Sequence, residues 1–337
     1  MISGPVETVD YHTGGEPFRI VTGGAPEPEG RTVLERRRFA LENMDEVRRL
    51  LINEPRGHAD MYGAYVVPPN DPGADLGVIF FHNEGYSTAC GHGTIALITW
   101  AIDSGRIRAV EPVTSVTLDV PSGRLACRAR VRAGIVEEVE FTNVPSFVEA
   151  TAVRVETSRG ALALDVAFGG AFYGSLDARS IGLDVTPASL PALIALQREL
   201  RPAIDAAVTP THPEEPELRG IYGVTFWQSE PGEDGADLVQ RNVTVFADGE
   251  VDRSPCGSGT SARLALLDAR GGLPRGAVLR HRSIVDSVFH GRVSGDGPAI
   301  GGRPSVVTEV SGSAYRTGRH AFELDPRDPL GTGFLLR

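Results

Sequence analysis

Two short stretches of the chain carry one pattern, Ala89-Cys-Gly-His-Gly-Thr94 and Pro255-Cys-Gly-Ser-Gly-Thr260. Each places a cysteine in a glycine-rich turn, directly before a segment that predicts a helix, over 94–102 and over 260–269. We therefore expect the thiols of Cys90 and Cys256 at helix N-termini, where the helix dipole and free N–H groups lower a thiol's pKa and hold an anion. The repeat predicts two halves built alike, each an α+β unit.

Two such thiols can serve one bound carboxylate. A thiolate removes a proton from one face of a carbon while a thiol returns one to the other face, as a racemase or epimerase requires. Backbone N–H groups are expected to offset the charge that builds on the carboxylate, and glycines let the backbone approach it closely. The anion-binding candidates are Gly91, His92, Gly257 and Ser258. Asp252 and the His92 side chain are candidates for the substrate's cationic amine.

Composition limits the partners and cofactors. The 337 residues carry 33 basic and 44 acidic side chains, a net charge of −11, which gives no basic surface for nucleic acid or an anionic membrane. All the basic residues are arginine, so no lysine can hold pyridoxal phosphate as a Schiff base. We expect a small-molecule substrate, no cofactor, and two domains from the length.

The three cysteines are too few and too widely spaced for a disulfide framework. Residues 1–10 lack a basic region followed by an apolar one, and no apolar run has the length of a membrane span. These observations predict a cytoplasmic protein with reduced thiols. The third cysteine, Cys127, lies on the apolar face of an alternating strand and is expected in the core.

Two other site types share parts of this pattern. A phosphate-binding loop is excluded, because neither stretch matches G-x-x-x-x-G-K-[ST]. Cys90, His92 and Cys256 are all types of metal ligand, but neither stretch has a zinc-site spacing, so we expect no metal. A binding protein for proline-like amino acids that has lost turnover is a non-enzymatic alternative.

Further motifs extend over nearly the whole length, and they include Asp10-x-His-Thr-Gly-Gly-Glu16, Glu54-Pro-Arg-Gly-His58, Phe168-Gly-Gly, Asp252-Arg-Ser-Pro-Cys256 and the tail from Ser311 to Phe334. With Cys90-Gly-His, they resemble the proline racemase family, which also holds hydroxyproline 2-epimerases and trans-3-hydroxy-L-proline dehydratases. The resemblance implies a cofactor-independent enzyme with two pseudo-symmetric domains of the diaminopimelate-epimerase type. Each would be a strongly curved, mostly antiparallel sheet around a central helix, with the active site in the interdomain cleft.

The resemblance also implies boundaries and roles. Residues 1–118 would form the domain that carries Cys90, and residues 119–304 the domain that carries Cys256, with the tail of about 305–337 packed back on the first. Cys90 and Cys256 would be the catalytic pair, Gly91-His92 and Gly257-Ser258 would hold the carboxylate, and Asp252 with His92 the ring nitrogen. Family members are usually homodimers, so a homodimer is expected.

Within the family, the dehydratases carry threonine where this chain has Cys256. Inversion needs an acid or base on both faces of the carbon, so Cys256 favours a proline racemase or a 4-hydroxyproline 2-epimerase. The segments His82–Tyr86 and Gly169–Tyr173 instead resemble the dehydratase branch. A trans-3-hydroxy-L-proline dehydratase, which eliminates water to give a cyclic imine, is therefore the alternative.

Local patterns predict further elements. Strands are expected at 6–11, 64–67, 76–82, 221–227 and 238–246, with antiparallel strands between 113 and 148. Helices are expected near 41–52 and over about 188–207.

Overall fold

The computed structural model describes residues 4–233 and 235–336. The helices are α1 Val33–Asn43, α2 Asp45–Ile52, α3 Gly91–Asp103, α4 Leu190–Val208 and α5 Gly257–Ala269. The strands are β1 Val6–Thr13, β2 Glu16–Gly23, β3 Tyr62–Val67, β4 Leu76–His82, β5 Val113–Val120, β6 Gly123–Arg132, β7 Ile135–Thr142, β8 Phe147–Thr157, β9 Gly160–Phe168, β10 Phe172–Asp177, β11 Ile221–Ser229, β12 Leu238–Phe246, β13 Glu250–Asp252, β14 Leu279–Arg282, β15 Val288–Asp296, β16 Val306–Gly312 and β17 Ala314–Phe322.

The chain divides into two compact units. The first comprises Met1–Phe141 with Ser313–Arg337, and the second comprises Thr142–Gly312. The sequence placed residues 119–141 with the second domain, but β6 pairs along its length with β5 and stays in the first unit. The C-terminal strand β17 belongs to the first unit because it pairs with β1.

The two units repeat one order of strand pairing. In the first, the order β17-β1-β2-β3-β4-β5-β6 has antiparallel pairs except for the parallel pairs β2–β3 and β4–β5. In the second, the order β8-β9-β10-β11-β12-β14-β15 has its parallel pairs at the same places, β10–β11 and β12–β14. The expected similarity of the halves is therefore present in the pairing itself.

Each unit packs its strands against one buried helix. All residues of α3 from Gly91 to Ile102 are buried, and α3 contacts β1, β2, β3, β6 and β17. In the second unit, α5 is buried from Gly257 to Leu267 and contacts β8, β9, β10, β15 and β16. A helix buried on every face belongs to a core. The glycine-rich stretches thus begin the central helix of each unit.

Several local predictions differ from the structure. The strand β2 was missed, although the pair Gly14-Gly15, with φ of 60° and 89°, makes the tight turn of a hairpin with β1. The helix expected near 41–52 corresponds to α2, whereas most of α1 was not predicted; the two helices meet at Met44, a buried residue whose φ of −126° ends α1. Cys127 is confirmed as a core residue, at 2% exposure on the buried face of β6.

The β1–β2 hairpin holds a buried ion pair. Asp10 and Arg19 are cross-strand partners, and Arg19 donates to both carboxylate oxygens from distances of 2.7 to 3.1 Å. The Arg19 guanidinium also donates to two main-chain carbonyls and lies 4.3 Å from the centre of the Phe322 ring. The pair therefore ties the hairpin to neighbouring segments of the first unit.

The variant Asp10→Asn is expected to lower the free energy of unfolding by about 3 kcal/mol, because it leaves a buried guanidinium without its counter-charge. The control is Asp325→Asn, which breaks a pair whose side chains are 88% and 48% exposed and should leave the free energy of unfolding almost unchanged. Urea denaturation followed by circular dichroism measures both. Equal losses in the two variants would contradict this account of the hairpin.

Candidate active site

The first cysteine caps the buried helix α3. Cys90 is the N-cap residue, with extended backbone at φ −155°, and its sulfur accepts a hydrogen bond from Gly93 N at 3.2 Å. Thr94 closes the turn by donating its N–H and its hydroxyl to the Cys90 carbonyl, both at 2.9 Å. The sulfur therefore lies against the N–H groups of the first turn, as the sequence predicted.

His92 lies in the same turn and is 3% exposed. Its Nδ1 and Nε2 are 3.5 and 3.4 Å from the Cys90 sulfur. The imidazole packs edge-on against Phe18 and Tyr62, at centroid distances of 5.6 and 4.9 Å. The Thr13 hydroxyl donates to the main-chain carbonyl of His92 at 2.9 Å. These contacts hold the ring beside the thiol.

The second cysteine begins α5 with different geometry. Cys256 has φ of +61°, a conformation that side-chain-bearing residues rarely adopt, and its sulfur does not cap the helix. Its N–H donates to the Ser254 hydroxyl at 3.1 Å, and the Ser254 N–H donates to Asp252 Oδ1 at 2.8 Å. A linked turn from β13 to α5 thus places Asp252, which is 4% exposed, in the same local structure as Cys256.

A tyrosine that the sequence had assigned no role lies beside Cys256. The Tyr173 hydroxyl is 2.7 Å from Ser258 Oγ and 3.9 Å from the Cys256 sulfur, while Ser258 Oγ is 4.0 Å from that sulfur. The one signal for Tyr173 in the sequence was its position at the end of the segment Gly169–Tyr173, which resembles the dehydratase branch.

Burial decides the protonation of Cys256. Helix N-termini lower thiol pKa values, and we expected this at both cysteines. The pKa of Cys256 is instead raised to about 12, first because burial removes water from the thiolate and then because Asp252 is negatively charged. The nearby Gly259 main chain and the Thr244 and Tyr173 side chains lower the pKa of Cys256, but by less than burial raises it. Cys256 is therefore a thiol at neutral pH.

A buried histidine contacts the turn that carries Cys256. His281, on β14, has no exposed surface, and its Nδ1 is 2.8 Å from the Thr260 hydroxyl, which donates to the Pro255 carbonyl at 3.2 Å. Burial lowers the pKa of His281 to about 3. The histidine is thus neutral and acts as a structural partner of the turn.

The predicted residues form one set in each unit, Cys90 with Gly91 and His92 at the start of α3, and Cys256 with Gly257, Ser258 and Asp252 at the start of α5. A separate cavity of about 470 Å³ in the first unit, bordered by Arg36 and Arg106 among others, contains none of these residues. Across residues 4–233 and 235–336, no group of three or more His, Cys, Asp or Glu side chains is placed to hold a metal ion. Within the same residues, no helix is both long and apolar enough to span a membrane.

Comparison with known proteins extends the match to the whole chain. The family model for proline racemase matches residues 8–335. A trans-3-hydroxy-L-proline dehydratase from Bacillus cereus is 45% identical over 329 residues, 98% of this chain and 97% of the relative. A 3-hydroxyproline 2-epimerase from Burkholderia multivorans is 46% identical over 337 residues, 100% of this chain and 99% of the relative. Relatives from Azospirillum brasilense and Burkholderia ambifaria, each 47% identical over 337 residues, are also named trans-3-hydroxy-L-proline dehydratase.

Solved structures agree with the fold. The crystal structure of a hydroxyproline epimerase from Agrobacterium vitis, with bound trans-4-hydroxy-L-proline, matches with a TM-score of 0.91 at 33% identity, over 99% of this chain and 96% of that one. This match confirms the predicted α+β fold, and the predicted enzyme class, an amino-acid racemase or epimerase, is supported at the level of the family. The chain belongs to the proline racemase family.

Proposed function

We propose that the protein acts on trans-3-hydroxy-L-proline and that Cys90 removes the proton from its Cα. Dehydration is the reaction we put first. The observation that carries this choice is the full-length similarity, at 44 to 47% identity, to several proteins named as dehydratases of that substrate. The names favour this alternative over the racemisation of proline or 4-hydroxyproline that Cys256 led us to expect.

The geometry at α3 suits Cys90 to the role of base. Its sulfur accepts the Gly93 N–H, an interaction that is stronger when the sulfur is charged, and His92 lies against it. The remaining N–H groups of the first turn, at Gly91 and His92, are the ones we propose for the substrate carboxylate. Negative charge that develops on the carboxylate as the proton leaves would be stabilised there.

Stereochemistry explains why one thiol is sufficient for dehydration. In trans-3-hydroxy-L-proline, the hydroxyl and the carboxylate lie on opposite faces of the ring, so the Cα hydrogen and the hydroxyl lie on the same face. A Cys90 thiolate that takes this proton becomes a thiol on the face from which the hydroxyl departs. The electron pair of the broken C–H bond forms a double bond between Cα and C3, the carbon that carries the hydroxyl. The hydroxyl leaves with the thiol proton as water, and the resulting enamine tautomerises to a cyclic imine.

A specific residue favours a second reaction, inversion at Cα of the same substrate. Cys256 is a buried thiol, and a thiol that reaches the carbanion from the opposite face returns a proton there and yields cis-3-hydroxy-D-proline. The relative from Burkholderia multivorans carries the name of this reaction. For inversion, we propose that Gly257 and Ser258 hold the carboxylate and that Asp252, with His92, holds the ring nitrogen.

The two reactions share their first step, removal of the Cα proton, and differ in the second. Elimination needs nothing from Cys256, whereas inversion needs its proton. The homodimer and the cytoplasmic location stay predictions.

Replacing the cysteines separates the two reactions. Cys90→Ser is expected to abolish both water loss and inversion, a decrease of at least about a hundredfold, because the base is lost. Cys256→Thr is expected to keep water loss and to remove inversion. Proton NMR with chiral chromatography of the products from trans-3-hydroxy-L-proline, L-proline and trans-4-hydroxy-L-proline measures these outcomes.

The matched control is Cys127→Ala, which removes a core thiol and should leave turnover unchanged. Faster conversion of L-proline or trans-4-hydroxy-L-proline than of the 3-hydroxy substrate by the unmodified enzyme would refute the proposed substrate. Water loss that survives in Cys90→Ser would refute the proposed base.

Alkylation tests the protonation state of Cys256. Its reaction with iodoacetamide in the free enzyme should accelerate about tenfold per pH unit from pH 8 to 10 without reaching a plateau, because its pKa is about 12. Peptide mass spectrometry assigns the modified cysteine, and N-acetylcysteine provides the reference profile. A plateau for Cys256 near pH 9 would show that the thiol has an ordinary pKa.

A further inference from the structure

Tyr173, Ser258 and Cys256 form one polar group inside the apolar core of the second unit. All three side chains are buried, at 1%, 3% and 5% exposure. Around them lie buried apolar residues, among which Ala167 and Ala262 belong to the same core cluster. The hydroxyl groups therefore meet the sulfur in mostly apolar surroundings, where Asp252 is the charged group that acts on Cys256 and where a second, unpaired charge is costly.

The position of Tyr173 is fixed by a close approach of main chains. The turn between β9 and β10 lies directly on the first turn of α5: a Cβ at Gly169 would be 2.3 Å from the Ser258 carbonyl and 2.7 Å from Ala262 N. Asn143 donates to the Gly169 carbonyl at 2.8 Å and holds this turn. Tyr173 follows four residues later, so its ring is anchored to the same turn that carries the sulfur.

Hydroxyl groups both donate and accept, and this gives the group two hydrogen-bonded states. When Cys256 is a thiol, its S–H can donate to the Tyr173 oxygen, 3.9 Å from the sulfur, and the phenol can donate to Ser258 Oγ at 2.7 Å. When Cys256 is a thiolate, the phenol can turn its hydrogen to the sulfur and accept from Ser258 instead. No heavy atom needs to move far between these states.

We propose that Tyr173 is a positioning residue for Cys256, whose phenol accepts from the thiol before proton transfer and donates to the thiolate afterwards. The inference rests on the proposed function only in so far as inversion is the reaction that converts Cys256 to a thiolate. In that reaction, the S–H bond breaks, the proton goes to Cα, and its former bonding pair stays on sulfur. Tyr173 keeps its own proton and only reorients it, so the step needs no further reactant.

Two measurements test this role, and the first needs no substrate. In Tyr173→Phe, the alkylation profile of Cys256 should move up by about one pH unit, which is about a tenfold lower rate at any given pH, because the thiolate loses a donor. Replacement of Tyr173 by 3-fluorotyrosine, a stronger donor, should move the profile to lower pH. The opposite signs distinguish a hydrogen bond from a disturbed fold.

The second measurement is the ratio of inversion to total loss of the Cα hydrogen, which should fall about tenfold in Tyr173→Phe while water loss is retained. The control Tyr65→Phe removes a buried phenol hydroxyl of the first unit and should change neither readout. A Cys256 profile that is unchanged in both Tyr173 variants would overturn the role of Tyr173, whatever the substrate. A shifted profile in an enzyme that does not act on trans-3-hydroxy-L-proline would support the role and refute the proposed function.

Discussion

The structure depends on how closely the first turn of each buried helix approaches its surroundings. At Gly93, a Cβ would be 2.4 Å from the Phe18 ring and 2.7 Å from the Cys90 sulfur, and at Gly259 it would be 3.0 Å from the Cys256 sulfur. A Cβ at Gly93 would displace the Cys90 sulfur from the Gly93 N–H, and a Cβ at Gly259 would crowd the Cys256 sulfur. The pattern Cys-Gly-x-Gly-Thr is therefore a packing requirement as well as a chemical one, since the same glycines place the thiol and leave N–H groups open to an anion.

Equal sequence patterns have produced two unequal thiols. Cys90 has extended backbone and caps α3 with its sulfur, whereas Cys256 has positive φ and has Tyr173 and Ser258 beside it. Burial and Asp252 together raise the pKa of Cys256, against the effect of the helix terminus. Unequal thiols suit a reaction in which one sulfur begins as a base and the other as an acid. In the proposed dehydration, they would also allow Cys90 to act alone, because the leaving hydroxyl lies on its own face of the ring.

The sequence was informative where a local pattern determines the structure. The bounds of β4 and β12 agree with those predicted, because clear turns flank both strands, and both buried helices begin within the predicted glycine-rich stretches. Local patterns were insufficient where contacts between residues far apart in the sequence determine the structure. The role inferred for Tyr173 depends on the approach of Gly169 to α5. The raised pKa of Cys256 depends on the core around it, which no spacing of residues reveals.

The substrate is less directly determined by the residues than the chemistry is, since proline and its hydroxylated forms present the same carboxylate and ring nitrogen. The central claim is that this enzyme breaks the Cα–H bond of trans-3-hydroxy-L-proline. The most direct test uses that substrate with deuterium at Cα. The proposed chemistry predicts slower consumption of the labelled substrate and release of its deuterium to solvent as product forms. Product that retains all of the deuterium at Cα, formed at the rate of the unlabelled substrate, would contradict it.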